Sequence, residues 1–314
     1  MCCLFGLMDY SGGLTAKQKA GVLHALATAA EARGTDATGI AYQSRGRLHV
    51  YKRPLPGHCM SFRIPQDTRV VMGHTRMTTQ GTARKNFNNH PFQSRAGGRA
   101  FALAHNGMIQ NDLALRRKEQ LPRTNIQTDS YVAVQLLEQS GGVSSRTLGA
   151  MAEKLEGTFS FTILDSQNNL YFIRGNNPLC IYHLPGQGLY LYASTQEILE
   201  KAIGSISFRL TEKEVVDLAC GEILKVDARG VQSRSQFDDS RLWYSSYMPY
   251  SFSFDTGWCN GKRLPDSEKA YTSHTRALKS VAGAFGFSPW EIDQLLRDGF
   301  TEEEIEDYLY CGEL

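Results

Sequence analysis

The chain has 314 residues and a mass of 35.0 kDa, and its 41% hydrophobic and 21% charged residues are typical of a globular protein. The formal net charge of +2 gives no electrostatic reason to expect a nucleic acid or an anionic membrane as partner. No stretch approaches the roughly 18 apolar residues of a membrane-spanning helix. The seven cysteines form no CxxC pair, and the N-terminus lacks the features of a secretion signal. We therefore expect a cytoplasmic protein with reduced thiols.

Strand and helix patterns alternate over the first 225 or so residues. An apolar run predicts a buried strand from Cys2 to Asp9, and the capping-box spacing of Thr15 and Gln18 predicts a helix that continues to Arg33. Residues 38–50 are typical of two strands around a turn at 45–47. Further strands are predicted at Arg69–His74, Ala100–His105, Phe159–Asp165, Leu170–Arg174, Pro178–Leu184, Leu189–Ala193 and Glu222–Val226, and helices at Asp129–Glu138, Ser145–Leu155 and Thr195–Ala202. So many hairpins favour antiparallel sheets covered by helices, an α+β fold, over a doubly wound parallel sheet.

The C-terminal part differs from the rest in composition. Residues 233–262 are rich in aromatic side chains without helical or strand periodicity, and residues 291–314 contain nine acidic residues and one base. Three helices are predicted after residue 266, at 268–285, from Ser288 and from Thr301, the last two with capping signals. This organisation predicts a main domain at 2–228, an aromatic-rich linker or strap at 229–265 and a small acidic three-helix module at 266–314. So small a module has little core of its own, so we expect it to dock on the main domain or on a partner.

Cys2 is the first residue that could carry chemistry. If Met1 is removed, Cys2 combines a thiol, with an ordinary pKa of about 8.5, with a free α-amine whose pKa is about 7.7–8.0. One residue then supplies both a nucleophile and a base. A cysteine in an apolar strand is otherwise a small buried residue, and taken alone Cys2 is better interpreted that way.

Three other positions could bind or stabilise a substrate. Arg76 ends a strand and could hold a carboxylate through two hydrogen bonds, although a surface salt bridge is the simpler interpretation. Asn106 and Gly107 could supply the two donors of an oxyanion hole, or form a tight hairpin turn. Asp129 could receive a ligand ammonium group, or act as the N-cap of a helix.

Several short motifs occur together in the order found in class II glutamine amidotransferases, and they cover about Cys2 to Val226. The chain therefore resembles that family. The motifs are Met1-Cys2-x-x-Phe5-Gly6, Arg33-Gly34-x-Asp36-x-x-Gly39, Gly73-His74-Thr75-Arg76-x-x-Thr79-x-Gly81, Asn89-His90-Pro91-Phe92, His105-Asn106-Gly107-x-Ile109-x-Asn111 and Thr128-Asp129, followed by Leu155-Glu156-Gly157-Thr158-Phe159-Ser160 and Ala193-Ser194-Thr195.

The resemblance implies an N-terminal-nucleophile hydrolase fold, an αββα sandwich of two antiparallel sheets between helical layers. It implies that Cys2 attacks the side-chain amide of L-glutamine, forms a glutamyl thioester and releases ammonia, while Asn106 and the Gly107 N–H stabilise the oxyanion. The α-carboxylate of glutamine would be bound by Arg76 and its α-ammonium by Asp129, with Thr79 lining the same pocket. Supporting roles are implied for Arg33, Asp36, His74 and His90.

The sequence departs from the family at a few positions, and it shows no sign of a metal or another cofactor. Cys3 stands where the family usually has glycine, and we expect its side chain to point away from that of Cys2. Met77 and Gln80 replace an aromatic residue and a histidine. The lone Cys180/His183 pair lacks two further ligands for a metal site, and we predict that no metal or other cofactor is needed.

The sequence therefore predicts a free-standing glutamine amidotransferase or glutaminase domain, because about 90 residues beyond it are too few for a second catalytic domain of the family's complete members. The ammonia would pass to water or to an acceptor enzyme on a separate chain that docks through the C-terminal helices. One alternative is a glutamine-binding sensor or regulatory subunit with weak turnover. Another is a cysteine hydrolase of the same fold that acts on a different amide, which the pairing of Arg76 with Asp129 disfavours.

Overall fold

The computed structural model describes residues 2–244 and, beyond them, residues 278, 279, 292, 295, 296, 301 and 305. The chain divides into two compact units, 1–242 and 243–314. In the second unit, Leu278, Ile292 and Ile305 are buried in one apolar cluster, with Leu295 and Leu296 packed against it. The remainder of the aromatic stretch and of the three predicted C-terminal helices lies outside the described residues.

Residues 2–244 contain thirteen strands and six α-helices. The strands are β1 (Cys3–Asp9), β2 (Ala37–Ser44), β3 (Arg47–Arg53), β4 (Val70–Arg76), β5 (Phe92–Ala96), β6 (Arg99–Ile109), β7 (Gly157–Asp165), β8 (Leu170–Arg174), β9 (Cys180–Leu184), β10 (Leu189–Ala193), β11 (Glu214–Val215), β12 (Glu222–Val226) and β13 (Gln232–Gln236). The helices are α1 (Ala16–Ala30), α2 (Asp112–Lys118), α3 (Tyr131–Gln139), α4 (Ser145–Ala152), α5 (Gln196–Gly204) and α6 (Ser240–Tyr244).

The strands form two antiparallel sheets. The seven-stranded sheet has the order β11-β9-β10-β1-β4-β2-β3, and the six-stranded sheet has the order β13-β12-β8-β7-β6-β5. β1 lies in the middle of the first sheet, where Cys3 pairs with Thr75 of β4 and Phe5 pairs with Ala193 of β10. β6 lies between β5 and β7 in the second sheet.

The alternation of side chains along β1 shows how the layers stack. Leu4 and Met8 belong to an apolar cluster that also contains Ala102, Ala104 and Phe172 of the second sheet, so this cluster fills the space between the sheets. Cys3, Phe5 and Leu7 point the other way and pack with residues of α1 and α5. Residues of α3 and α4 cover the outer face of the second sheet. The four layers are therefore helix, sheet, sheet and helix, as the sequence predicts.

A buried ion pair joins the end of β1 to the start of α1. The Lys19 Nζ and Asp9 Oδ2 atoms are 3.4 Å apart, and both side chains are fully buried. The Asp9 carboxylate also accepts hydrogen bonds from the N–H groups of Gly12, Gly13 and Leu14. Such a pair needs all of these partners, because removing a charged group from water costs free energy unless protein groups replace its hydrogen bonds to water. The predicted capping box of Thr15 and Gln18 is present at the start of this helix.

Most of the predicted elements are present with boundaries shifted by a few residues, and five elements, β5, β11, β13, α2 and α6, were not predicted. β5 is a short edge strand after Pro91, and α2 follows β6 directly. β13 pairs with β12 inside the stretch that the sequence suggests as a linker, so the beginning of that stretch has regular structure.

Candidate active site

Cys2 lies immediately before β1, at one end of the layer between the two sheets. Side chains alternate along a strand, so Cys2 shares the face of Leu4 rather than that of the buried Cys3. The half-buried Cys2 thiol lies 3.6 Å from the carbonyl oxygen of Met77, and the Cys2 carbonyl accepts a 2.9 Å hydrogen bond from Arg33 Nε. The residue is thus fixed on one side by the loop after β4 and on the other by the end of α1. The expectation that Cys3 points away is confirmed.

Burial raises the pKa of the Cys2 thiol above its ordinary value, while the hydrogen bond to Met77 and the positive charge of Arg76 lower it and Asp129 raises it. The net direction is upward, so the thiol form is favoured in the resting site. Since the thiolate is the nucleophilic form, attack by this sulfur requires a base that removes its proton as the new bond forms.

Arg76, the last residue of β4, is 3% exposed and lines the same cavity as Cys2. One guanidinium nitrogen donates a 2.7 Å hydrogen bond to Asn89 Oδ1, and the other donates to the carbonyl of Gln80. Gly34 allows the chain to pass close to this residue, because a Cβ atom at position 34 would lie 2.5 Å from the Arg76 carbonyl carbon. Arg76 is therefore a buried cation in the cavity wall and not part of a surface salt bridge.

Asp36 fixes the loop that follows Arg76. Its backbone N–H donates to the Arg76 carbonyl at 2.9 Å, and its carboxylate accepts the N–H of Thr78 at 2.7 Å. This loop supplies Met77, Thr79 and Gln80 to the cavity lining. Asp36 and Arg33 thus contact the backbone around the cavity and do not line it themselves.

Asn106 and Gly107 do not form a turn. Both lie inside β6, where they pair with Ser160 and Phe159 of β7. Gly107 has a φ of 142°, and a Cβ atom there would lie 2.0 Å from the carbonyl oxygen of Thr158, so only glycine fits. Gly107 lines the cavity beside Cys2.

The Asn106 side chain is tied to the strand that carries Cys2. Its Nδ2 donates a 3.2 Å hydrogen bond to Ser194 Oγ, which also accepts the backbone N–H of Leu4 at 2.9 Å. A primary amide has two N–H donors, so one remains for a ligand. In the sequence, Ser194 only marks a family motif. Its hydrogen bonds to Asn106 and Leu4 join residues that are 88 and 190 positions apart, so only the fold reveals them.

Asp129 is not a helix N-cap. α3 begins at Tyr131, and the Asp129 Oδ2 atom accepts a 2.6 Å hydrogen bond from the backbone N–H of Ile109, at the end of β6. The Oδ1 atom accepts a 3.3 Å hydrogen bond from the Ser130 hydroxyl. Asp129 is 4% exposed and lines the cavity together with Arg76. A buried anion and a buried cation therefore face the same small space.

Three buried histidines lie beside this space. His74 Nε2 donates a 2.9 Å hydrogen bond to the His105 carbonyl, His105 Nδ1 lies 2.8 Å from Ser130 Oγ, and the rings of His74 and His90 are 4.3 Å apart. Burial lowers the pKa of His74 to about 3 and holds the pKa values of His90 and His105 below the ordinary value. All three rings are therefore neutral at physiological pH.

Of these histidines, His90 and His105 line the cavity, whereas His74 lies behind His90. Neither ring nitrogen of His90 has a hydrogen-bond partner among the described residues. His105, Thr128 and Ser130 also line the cavity without having been assigned a role from the sequence. His105 precedes Asn106 directly, and Thr128 and Ser130 flank Asp129. Their positions beside motif residues could therefore have identified them from the sequence.

The cavity is closed in this conformation. Its volume is about 10 Å³, which is roughly the space that one water molecule needs. The loop of Met77, Thr79 and Gln80 forms one side, and Met77 is 52% exposed. This space is too small for an amino acid.

The described residues contain neither a candidate metal site nor a candidate membrane span. No group of three or more His, Cys, Asp or Glu side chains in this part of the chain is arranged to hold a metal ion. No helix among the same residues is long and apolar enough to cross a membrane. His183, half of the Cys180/His183 pair, lies 2.9 Å from the Tyr10 hydroxyl instead.

Two antiparallel sheets between helical layers are the arrangement that the resemblance implies for this chain. Two solved structures share this fold. They are the glutamine phosphoribosylpyrophosphate amidotransferase of B. subtilis, with a TM-score of 0.58 and 20% identity, and an allosteric regulatory enzyme of purine biosynthesis, with a TM-score of 0.59 and 19% identity. Each comparison covers 76% of this chain and 49% of the other.

Residues 74–201 match the model of a glutamine amidotransferase domain. Similar curated proteins include the isomerizing glutamine–fructose-6-phosphate aminotransferases of Bacillus licheniformis and Listeria monocytogenes, each 32% identical over 187 and 184 residues respectively. Each alignment covers 56% of this chain and 30% of the relative, so the matched part spans less than a third of those proteins. The match of residues 74–201 to this domain model and the similarity to these relatives agree with the family resemblance that the motifs indicate.

Proposed function

We propose that this domain hydrolyses L-glutamine to glutamate and ammonia with Cys2 as the nucleophile. The proposal is supported by the position of Cys2 in one cavity wall with a buried cation, Arg76, a buried anion, Asp129, and the donor strand residue Gly107. That combination of groups matches the three parts of glutamine that an enzyme must recognise: the α-carboxylate, the α-ammonium and the side-chain amide.

In the proposed reaction, removal of Met1 frees the α-amine of Cys2. This amine accepts the thiol proton as the sulfur attacks the amide carbon of the glutamine side chain. The proton is then given to the leaving nitrogen, the carbon–nitrogen bond breaks and ammonia departs, which leaves a glutamyl thioester. Water attacks the thioester, glutamate is released and the thiol is restored. The raised pKa of Cys2 fits this scheme, because the proton leaves only when the base is in place.

The negative charge that develops on the amide oxygen needs two donors. We assign them to the free N–H of the Asn106 amide and to the Gly107 backbone N–H. Ser194 holds the other Asn106 N–H on the β1 side of the site, at 3.2 Å, so the amide is oriented before glutamine arrives. Loss of one such donor typically lowers turnover about 10² to 10³-fold.

Glutamine itself is proposed to bind between Arg76 and Asp129. Both side chains are already oriented by protein hydrogen bonds, because Arg76 donates to Asn89 and Asp129 accepts from Ile109. An amide without both an α-carboxylate and an α-ammonium would leave one of these buried charges unpaired, which disfavours it strongly. The loop of residues 77–80 opens to admit the substrate, and Thr79 then contacts it.

The ammonia is proposed to pass to water or to an acceptor on a separate protein. The relatives named above are aminotransferases and an amidotransferase, and that is a property of those proteins. Residues 266–314 are the segment we assign to acceptor docking, because their composition is acidic and distinct from that of the domain.

The first experiment combines intact-mass measurement with a diazoketone analogue of glutamine. The expected result is a mature chain without Met1 that takes up one equivalent of the analogue at Cys2. Cys2→Ala should abolish labelling, while Cys59→Ala, which removes an exposed thiol, should leave it unchanged. Labelling that persists in Cys2→Ala would refute the assignment of the nucleophile.

The second candidate function is a glutamine sensor with little turnover, which the raised pKa of the Cys2 thiol favours where Met1 is retained and no α-amine of Cys2 is present to act as the base. Calorimetry and an ammonia assay on the same preparation separate the two functions. Glutamine binding together with retained Met1 and no ammonia release would support the sensor, whereas ammonia release that depends on Cys2 would exclude it.

A further inference from the structure

A second and much larger cavity lies on the other side of one wall of the glutamine site. Its volume is about 360 Å³, within the range of small-molecule sites. Residues that line it include Lys52 and Arg53 of β3, Asn86 and Phe87, Phe92 of β5, and Tyr131 of α3. Nothing in the proposed glutamine reaction uses this cavity.

The charge of the cavity is positive. Lys52 and Arg53 both line it, and no acidic side chain does so among the described residues. Neither cation forms an ion pair with a carboxylate in this part of the chain. A half-buried cation without a counterion is unfavourable unless a ligand supplies the negative charge.

Lys52 is held so that its ammonium group faces the cavity. Its Nζ donates to the carbonyl of Asn89 and, at 3.1 Å, to that of Pro91, and it lies 5.1 Å from the centre of the Phe92 ring. An ammonium group has three N–H donors, so one is left for a ligand. Burial and the charge of Arg76 lower the pKa of Lys52 to about 8, as expected for a cation that lacks a compensating anion.

Three aromatic residues, Phe87, Phe92 and Tyr131, also line the cavity. The Phe92 and Tyr131 rings pack edge to face with their centres 5.3 Å apart, and the Phe87 ring is 45% exposed at the opening. Exposed aromatic side chains beside a cation provide a surface on which a flat ring can pack. The Asn86 amide donates to the Lys52 carbonyl at 3.0 Å and so holds Phe87 and Lys52 on adjacent segments.

We propose that this cavity binds a small anion that carries a flat ring, with its carboxylate or phosphate on Lys52 and Arg53 and its ring against Phe87 and Tyr131. The anion compensates the two cations, and the ring covers the exposed aromatic surface.

The two cavities share a wall, so a ligand bound in one should change the ligand affinity of the other. Asn89 accepts a hydrogen bond from Lys52 with its backbone oxygen and another from Arg76 with its side-chain oxygen. The next residue, His90, lines the glutamine cavity. On α3, Tyr131 lines the anion cavity while Ser130 lines the glutamine cavity. A ligand that draws Lys52 away from Asn89 therefore acts on the segment that orients Arg76. This coupling rests on the proposed glutamine site, whereas anion binding itself does not.

Calorimetry on the Cys2→Ala protein tests binding without any need for catalysis. Benzoate and phenyl phosphate are the ring-bearing probes, and acetate and inorganic phosphate are the ringless controls. We expect at least one ring-bearing probe to bind at least about tenfold more tightly than its ringless counterpart. Binding should weaken at least about tenfold in Lys52→Met and in Phe87→Ala, and stay unchanged in Arg47→Gln, which removes an exposed arginine of the same strand outside the cavity.

Phe87→Ala changes an exposed side chain, so it gives a result even if Lys52→Met fails to fold. The proposal is overturned if neither ring-bearing probe binds at about 10 mM, if acetate and phosphate bind equally well, or if Phe87→Ala leaves affinity unchanged. The coupling is measured separately, as a change in the glutamine affinity of Cys2→Ala when a bound probe is present, and by linkage the probe must gain or lose affinity by the same factor when glutamine binds. Anion binding without that change would refute the coupling alone.

Discussion

Acidification should destabilise this domain through His74, which is buried and neutral. Burial lowers its pKa from 6.5 to about 3, so below pH 6.5 the unfolded chain takes up a proton at this position that the folded chain does not. Stability then falls as the pH falls, because the unfolded state binds more protons. The loss begins at the unfolded pKa of 6.5 and is complete only near pH 3.

The size of the effect follows from the same shift. One proton of difference corresponds to about 1.4 kcal/mol per pH unit, so His74 alone should cost about 2 kcal/mol in the free energy of unfolding between pH 6.5 and pH 5. His90 and His105 have lowered pKa values for the same reason, burial, and should make the slope steeper.

Urea denaturation at several pH values between 5 and 7.5 measures this slope. His74→Gln retains an N–H donor for the His105 carbonyl but cannot titrate. Near pH 5 its slope should be smaller than that of the wild-type chain by about 1.4 kcal/mol per pH unit, and this difference should vanish towards pH 7.5. His49→Gln, at an exposed position of β3, controls for the substitution itself. Equal slopes in His74→Gln and the wild-type chain would refute the conclusion that His74 is buried and neutral.

Three further predictions concern single residues. Ser194→Ala removes the acceptor that orients Asn106, and steady-state kinetics should show a kcat lowered about tenfold or more with KM little changed; an unchanged kcat would contradict that role. Gly107→Ala places a methyl group 2.0 Å from a carbonyl oxygen of the neighbouring strand, and thermal unfolding should reveal a loss of several kcal/mol, whereas wild-type stability would argue against the strand geometry. Lys19→Met leaves the buried Asp9 without its cation and should cost about 3–5 kcal/mol in urea denaturation; a loss below about 1 kcal/mol would show that the pair is dispensable.

The architecture could be predicted because its signals are local. Alternating apolar residues, hairpin turns and capping boxes each depend on a few neighbouring residues, and the capping box at Thr15 is present as expected. β5 was missed because Gln93, Ser94 and Arg95 are polar and the strand lies at the edge of its sheet, so only its pairing with β6 identifies it.

The site could be predicted only in part, because its geometry depends on long-range contacts. Asn106-Gly107 has the local signature of a turn, but pairing with β7 on both sides of the dipeptide keeps it extended. Asp129 has the local signature of an N-cap, but its carboxylate accepts a hydrogen bond from the backbone N–H of Ile109, at the end of β6. The motif resemblance brought Cys2 and these positions together, while the role of Ser194 required the fold.

The most direct test of the account is to trap the acyl intermediate on Cys2. The purified protein is mixed with glutamine, quenched in acid within the first turnover and digested, and the N-terminal peptide is analysed by mass spectrometry. If Cys2 is the nucleophile, this peptide begins at Cys2 and carries the added mass of one glutamyl group, in an amount matched by the ammonia released. Ammonia released without any glutamyl group on Cys2 would contradict it.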